Sequence, residues 1–385
     1  MRFLFASQYV RSRSSGAAGI LISIGDGLTR AAHQVDQLWQ VERSPVLPHA
    51  SLTRLFELPR WQFAQVSEHL EKEHYDVVII SQSCAFLACE RLTSRHPRTL
   101  FLNHTQGWEA RYDAARLKFR WDSSAGRARL LAQRVTAALT RRLCRRTAQA
   151  CHGLIALSSR CARYIQSHYS IPSWKVATIP PGLERWGLDV ERPPVDSATG
   201  LRMFFVGNYI SVKGTALLES LLPELGRAHR GATLSFVVDD AATDRVRRIY
   251  GSAFGDRLSV MGWIPREELP AIYARHDVLL HPSFFEGFGR TSLEAMACGV
   301  CFVGSNEGGM IDVISDPGEA LLGDAADGAA FRGHLERCLR EPAYARAVGA
   351  KGRERARQFT IERTCSELVS FCEQLRVRWE LDQAG

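Results

Sequence analysis

Short apolar runs separated by stretches of helical pattern recur along this chain in two series, and that rhythm limits the fold more than any other feature. The first series reads as strands from Arg2 to Ala6, His33 to Trp39, Asp76 to Ser81, Thr99 to Asn103, Gly153 to Ser158 and Val176 to Pro180. The second runs from Met203 to Val206, Leu234 to Val238, Leu258 to Met261, Val278 to Leu280 and Val300 to Val303. Runs that are apolar throughout suit strands buried on both faces, and helices between successive strands imply a parallel, doubly wound sheet. Between the series, residues 185–200 are rich in Pro, Gly and charge with no apolar period, which reads as a linker between a domain at 1–184 and another at 201–363. A chain of 385 residues is long enough for two cores.

Composition narrows the class. Apolar residues at 45% and charged residues at 23% are globular values. No run reaches the roughly 18 apolar residues of a membrane span, and one arginine before Phe3-Leu4-Phe5-Ala6 does not make a signal peptide. The ten cysteines are scattered, several inside apolar runs (Cys84, Cys89, Cys151, Cys372), as expected of reduced, buried thiols in a cytoplasmic protein. Cys298 and Cys301 form a C-x-x-C, but no second pair stands at zinc spacing. The net charge of +8 favours anionic partners, yet no nucleic-acid-binding pattern accompanies it, so nucleic acid is not expected.

The chemistry concentrates from Phe285 to Gly299. After the strand ending at Leu280 come two glycines, Gly287 and Gly289, and then a helix expected from Thr291 to Ala297, closed by Gly299. Strand, glycine turn and helix N-terminus form an anion site, because the first helical amides lack carbonyl partners. Glu294 is expected in the first helical turn, where it can accept from two vicinal hydroxyls, and Glu286 stands on the other side of the turn. A phosphate on the amides, a ribose at Glu294 and another polyol at Glu286 describe a sugar nucleotide. The motif alone also fits two ordinary helix-end charges around a chain turn.

This stretch resembles the donor-site element of the family 4 (group 1) retaining glycosyltransferases of the GT-B fold. The likeness extends upstream through Met261-Gly262-Trp263-Ile264-Pro265-Arg266 and downstream through Asn306-Glu307-Gly308-Gly309. Cys151 to Ser158 is similar to that family's "A-D-x-x-I-A-x-S" strand, and Pro180-Pro181-Gly182 to its "I-P-N-G" exit from the first domain. The resemblance implies two Rossmann-like domains facing across a cleft, with the acceptor on the first, the nucleotide sugar on the second, and a helix from about 364 to 385 crossing back to the first. It implies that Glu286 contacts the transferred sugar and Glu294 the ribose, with Gly287, Phe288, Gly289, Arg290 and Thr291 framing the donor.

Three further positions follow from the same likeness. His104, within Asn103-His104-Thr105-Gln106-Gly107, would hydrogen-bond the transferred sugar, although a lone histidine is otherwise usually structural. Gly16 lies in a small-residue loop that matches neither G-x-G-x-x-G nor Walker A, and would approach the donor phosphate or the acceptor. Gly207, Asn208 and Lys213 are similar to "G-R-x-x-x-x-K-G", with Lys213 as the cation for the diphosphate leaving group. Asn208 replaces the family's arginine there, which calls for compensation by Arg290 or Arg266, and Asp239-Asp240 replaces a usual glycine. The chain has no D-x-D, so neither a bridging metal nor a cofactor is indicated.

Seven arginines and no carboxylate lie between Arg127 and Arg146, on a helix whose expected packed stripe is Leu131, Val135, Leu139 and Leu143. The arginines would form a solvated face or a peripheral contact with anionic membrane. The expected function is transfer of a sugar, with retention and without a metal, from a nucleoside-diphosphate sugar to the hydroxyl of a glycan or lipid-linked acceptor; the expected location is the cytoplasm, with peripheral contact at the inner face of the membrane as the further option. The alternatives are a non-catalytic sugar-nucleotide-binding relative and a basic membrane-surface scaffold.

Overall fold

The computed structural model describes residues 1–13, 16–40, 56–81, 85–105, 127–185, 189–193, 200–324 and 327–384. The chain divides into two compact units, Met1–Gly182 with Ile361–Gly385, and Leu183–Thr360. Ser14, Ser15, Cys84, Gln106, Gly107, part of the expected linker and the side chains of residues 127–134 lie outside the described residues.

The first unit holds β1 (Arg2–Ser7), β2 (Gln34–Trp39), β3 (Val77–Ser81), β4 (Leu100–His104), β5 (Gly153–Ala156) and β6 (Val176–Thr178). Its helices are α1 (Gly16–Arg30), α2 (Leu58–Lys72), α3 (Phe86–Leu92), α4 (Arg127–Ala150) and α5 (Ser159–Tyr169). The strands are parallel in the order β2-β1-β3-β4-β5-β6. The second unit holds β7 (Arg202–Val206), β8 (Thr233–Val237), β9 (Leu258–Met261), β10 (Val278–His281), β11 (Cys301–Ser305) and β12 (Leu321–Gly323). Among them run α6 (Thr215–Ala228), α7 (Thr243–Phe254), α8 (Leu269–Ala274), α9 (Arg290–Ala297), α10 (Met310–Val313), α11 (Gly328–Arg340) and α12 (Pro342–Ala356). This sheet is also parallel, in the order β12-β11-β10-β7-β8-β9. The winding therefore reverses between β7 and β10, and in open sheets of this kind ligands sit outside the strand ends at such a reversal.

The last helix, α13 (Ile361–Ala384), belongs to the first unit. Two glycines let it approach. A Cβ on Gly27 of α1 would lie 2.6 Å from Cys365 Sγ, and one on Gly153 of β5 would lie 2.5 Å from Leu375 Cδ1. In the second unit Asp277 is fully buried at the start of β10. Arg202 reaches it at 2.9 Å, Arg192 at 3.1 Å and Arg346 at 3.3 Å. Arg192 also donates to the His276 carbonyl at 2.7 Å. This part of the expected linker is thus bound to the second unit's sheet.

One sequence expectation differs from the structure, and one strand was not anticipated. The stripe of α4 that packs inward is Ala137, Thr140, Cys144, Thr147 and Ala148, whereas Val135 and Leu139 face outward at 50% and 43% exposure. The small side chains let α4 close on α3. The threonine hydroxyls donate back to the Thr136 and Leu143 carbonyls at 2.8 and 3.0 Å, so their burial leaves no lone polar group. Strand β12 has only three residues at the sheet edge and carries no apolar run long enough to announce itself.

The fit at Gly153 is testable. Gly153→Ala forces a side chain against Leu375, Leu102 and Phe371 and should destabilise the protein by about 1–3 kcal/mol. Combined with Leu375→Ala, which makes room, the loss in urea unfolding should fall short of the sum of the two single losses.

Candidate functional site

The site is built on the two loops that leave β7 and β10. Gly207, directly after β7, has φ +131, and a Cβ there would meet nothing within 4 Å, so the space above the strand end is open. Asn208 is exposed, and its carbonyl receives the Ile210 amide at 2.9 Å. A short turn, Ser211–Lys213, then brings Lys213 to Gly214, whose φ is +73. A Cβ on Gly214 would lie 2.1 Å from the Pro282 carbonyl oxygen, so only glycine lets the β7 loop rest on the β10 loop. The Phe284 amide donating to the Val212 carbonyl at 2.9 Å closes the same contact.

That contact places Lys213 Nζ against Glu286 Oε1. The same oxygen receives His281 Nε2 at 2.8 Å. Burial alone would raise the Glu286 carboxyl, but Lys213 and His281 hold it well below the usual carboxylate range. His281 ends β10. It escaped the sequence reading, which took His104 from the family likeness and ended this strand at Leu280.

Behind Glu286 the chain turns through Gly287, Phe288 and Gly289, the last at φ +98, into α9. Gly308 and Gly309 support this turn from below. Their Cβ atoms would lie 2.7 Å from Glu286 and 2.0 Å from the Phe288 ring, and the Gly309 amide donates to the Phe288 carbonyl at 2.9 Å. The helix starts at Arg290, one residue earlier than expected, with Thr291 next. Glu294 consequently lies beyond the first turn, and the end dipole, which fades within a turn, is not what holds it. Its partners are side chains. Glu294 is 5% exposed, and its oxygens meet Arg266, Arg290 Nε at 3.3 Å and the Tyr273 hydroxyl at 3.2 Å. Arg290 also reaches Glu184 at 3.7 Å, and burial together with nearby Arg266 lowers its pKa to about 10. Both arginines that stood to replace the missing cation at Asn208 are thus turned onto Glu294.

Asp239 accepts the Tyr209 amide at 3.0 Å and Asp240 the Trp263 amide at 3.1 Å, joining the ends of β7, β8 and β9. Gly262 has room only because it lacks a side chain, since its Cβ would lie 2.1 Å from Asp240 Oδ1. Cys298 and Cys301 are buried, and burial pushes the Cys298 thiol up to about 12. Among the described residues no group of three His, Cys, Asp or Glu side chains could hold a metal ion.

In the first unit, Gly16 opens α1 with nothing within 4 Å of its Cβ direction. His104 ends β4 at 1% exposure, and neither ring nitrogen has a hydrogen-bond partner among the described residues. Its ring borders a void with room for about one water molecule, lined by Phe5, Ile24, Ile79, Ile155, Thr364 and Leu368 among others. As placed, it faces this interior space.

Comparison with known proteins decides the family. The family model described as "Glycosyltransferase Family 4" matches residues 15–185, and that described as "Glycosyl transferases group 1" matches residues 193–355. The chain belongs to the group 1, family 4 glycosyltransferases. Relatives in this family include O-antigen chain mannosyltransferase B of Escherichia coli, 36% identical over 110 residues, or 29% of this chain and 28% of that protein. 2-Deoxystreptamine glucosyltransferase of Streptomyces kanamyceticus is 30% identical over 172 residues, 44% of this chain and 43% of that protein. The matches thus span less than half the length of these relatives. Among solved glycosyltransferase structures, sucrose-phosphate synthase of Thermosynechococcus elongatus aligns over 98% of this chain and 100% of its own, with TM-score 0.76 and 20% identity. HepE of Anabaena, in complex with UDP and glucose, aligns over 96% and 98%, with TM-score 0.67 and 15% identity. These likenesses show the GT-B fold.

Burial of His104 makes a prediction about acid stability. Desolvation lowers its pKa to about 4, against 6.5 for the free side chain, so the unfolded chain binds the extra proton between those values. Its contribution is complete above pH 6.5 and is lost as pH falls towards 4, on the order of 3 kcal/mol. His152, which accepts the Phe101 amide at 2.9 Å, is likewise lowered to about 4 by burial and adds to the same window. His104→Leu should lose less stability between pH 7 and 4.5 than wild type, measured by denaturant unfolding at each pH.

Proposed function

We propose that the second unit binds a nucleoside-diphosphate sugar at the carboxyl ends of β7 and β10, and that the protein transfers the sugar to a hydroxyl acceptor. The observation that carries this reading is the meeting of Lys213 and Glu286 at the reversal of the sheet, beside the glycine turn into α9. The diphosphate lies against the first amides of α9 and Lys213. Glu286 takes hydroxyls of the sugar, and Glu294 takes the ribose once its hydroxyls compete with Arg266 and Arg290. As the bond to the diphosphate breaks, negative charge grows on the leaving group, and a fixed ammonium and helix amides stabilise that charge more than the ground state. This cation and the amides supply the charge stabilisation without a bridging metal. Retention of configuration is part of this proposal, supported by the resemblance of the donor-site stretch to the retaining enzymes.

The acceptor side of the reading rests on charge. Met1–Gly182 with Ile361–Gly385 contains 28 Lys and Arg against 17 Asp and Glu, whereas Leu183–Thr360 contains 21 against 24. On α4 the outward Val135 and Leu139 continue into Arg142 and Arg145, which are exposed. A basic face with an apolar strip suits an anionic membrane, with the acceptor lipid-linked and the protein on the cytoplasmic side. No described helix is long and apolar enough to cross a membrane. A second reading, a binding relative with little turnover, is favoured by the exposed Asn208 and by the engagement of Arg266 and Arg290 with Glu294.

Two experiments test these claims. In a thermal-shift panel of nucleoside-diphosphate sugars, at least one donor should raise Tm, and Glu294→Ala should abolish the rise. With that donor and extracted glycolipid acceptors, Lys213→Ala should lower kcat by about 10²-fold. A Tm rise without turnover would favour the binding relative. Separately, the protein should float with vesicles containing acidic phospholipid and not with neutral ones. Val135→Glu with Leu139→Glu, or Arg142→Glu with Arg145→Glu, should abolish flotation.

A further inference from the structure

His281 stands where the proposed reaction needs a fixed partner for Glu286. It ends β10, its ring is 2% exposed, and the Phe302 ring of β11 packs beside it with centroids 5.8 Å apart. Nε2 lies 2.8 Å from Glu286 Oε1 and 3.1 Å from Ser283 Oγ. Nδ1 is buried and has no hydrogen-bond partner among the described residues. A carboxylate only accepts, so the hydrogen on the ring must sit on Nε2 and point at Glu286. The Ser305 hydroxyl donates to the Ser283 carbonyl, tying the 281–286 segment to β11. The ring cannot rotate away without leaving that packed position.

The ligand-free arrangement also presents a conflict. Lys213 Nζ and His281 Nε2 both hold the same oxygen of Glu286. The cation assigned to the diphosphate is therefore occupied by the carboxylate assigned to the sugar. When the donor binds, Lys213 must turn from Glu286 to phosphate, and Glu286, in a largely buried position, would lose its counter-charge. A partner that remains is required if the carboxylate is to stay ionised and aimed.

We propose that His281 is a positioning residue for the reaction: its Nε2–H keeps hold of Glu286 Oε1 while Lys213 moves to the diphosphate, leaving the other carboxylate oxygen for the hydroxyls of the transferred sugar. This rests on the donor-site reading of Lys213 and Glu286 given above. The charged and titratable groups that meet Glu286 are Lys213, from the loop after β7, and His281, from β10. The other neighbours of His281, Ser283 and Phe302, carry no charge.

The test compares His281→Leu, which keeps the volume and removes the donor, with His281→Gln, whose amide can place a hydrogen near the Nε2 position. With the donor found in the thermal-shift panel, His281→Leu should lower kcat at least tenfold while changing donor KM less than threefold. The acid limb of its kcat profile should move up by about one pH unit or more, because Glu286 is then protonated more easily. His281→Gln should restore both. An unmoved acid limb, or a glutamine variant as impaired as the leucine variant, would overturn the proposal even where wild type is active. A ligand-free arm does not depend on turnover. In denaturant unfolding at pH 7, His281→Leu and Glu286→Gln should be non-additive, and strict additivity would also overturn it. If no donor stabilises wild type while the two substitutions remain coupled, the contact is structural, the donor-site reading has failed, and the positioning role falls with it.

Discussion

Everything in the candidate site depends on a missing side chain. Gly214 carries no Cβ, so the loop after β7 can lie on the carbonyl of Pro282 after β10, at a separation that any other residue would block. Its φ of +73 excludes other residues a second time. Lys213 precedes that glycine and Glu286 follows Pro282 by four residues, so the contact fixes the ammonium against the carboxylate. Gly308 and Gly309 repeat the device on the far side, where the turn from Glu286 to Phe288 rests on bare backbone. A site of this kind is positioned by backbone packing at a sheet reversal, which is stiffer than a site carried on long side chains alone.

The charges obey the same economy of contact. Each buried carboxylate has its partners: Glu286 has the Lys213 ammonium and the His281 ring, and Glu294 has the guanidinium groups of Arg266 and Arg290. Leaving either acid unpaired in this position would be costly, so the unliganded site is neutralised internally. In the proposed reaction a diphosphate entering the site would compete for cations already held near the positions assigned to them. Pairing in the free protein weakens first contact, yet it spares the reorganisation that freely solvated side chains would require at the moment charge develops. Asn208 brings no charge to this exchange, which places the weight on Lys213 and the amides at the start of α9.

Why some of this was legible in the residues and some was not has physical causes. The strands were legible because burial on both faces leaves runs of apolar residues, as in Val278-Leu279-Leu280, and nearly every run became a strand. Glu286 and Lys213 were legible because the residues around them resemble the family's motifs, and beside Lys213 the φ of Gly214 and its contact with Pro282 leave room for glycine alone. The packed stripe of α4 was not, because close helix packing selects small residues. Ala137, Thr140, Cys144 and Ala148 carry a weaker hydrophobic signal than Val135 and Leu139, which face solvent. Glu294 was found, but the reason it is held was not: its partners come from residues 266 and 273, and no local pattern reports a contact that the fold creates. His281 was hidden for the same reason, reading as the polar end of an apolar strand until Glu286 was seen against it.

The division of charge between the units follows from these two environments. The second unit, which holds the proposed diphosphate site, nonetheless carries 21 basic residues against 24 acidic ones, because cations there are matched internally by Glu286, Glu294 and Asp277. Its surface therefore advertises little of what it binds. Among the described residues Arg142 and Arg145 have no such matching, whereas Arg146, one residue on, is tied to Glu90 through two bonds of 2.6 and 2.7 Å. Screening leaves an exposed field acting over about 10 Å at moderate salt. That range suits the contact with an extended anionic surface proposed above. The excess of +8 on the whole chain therefore comes from the first unit, where the proposed acceptor surface lies, while the paired groups at the strand ends of the second unit carry the proposed donor site.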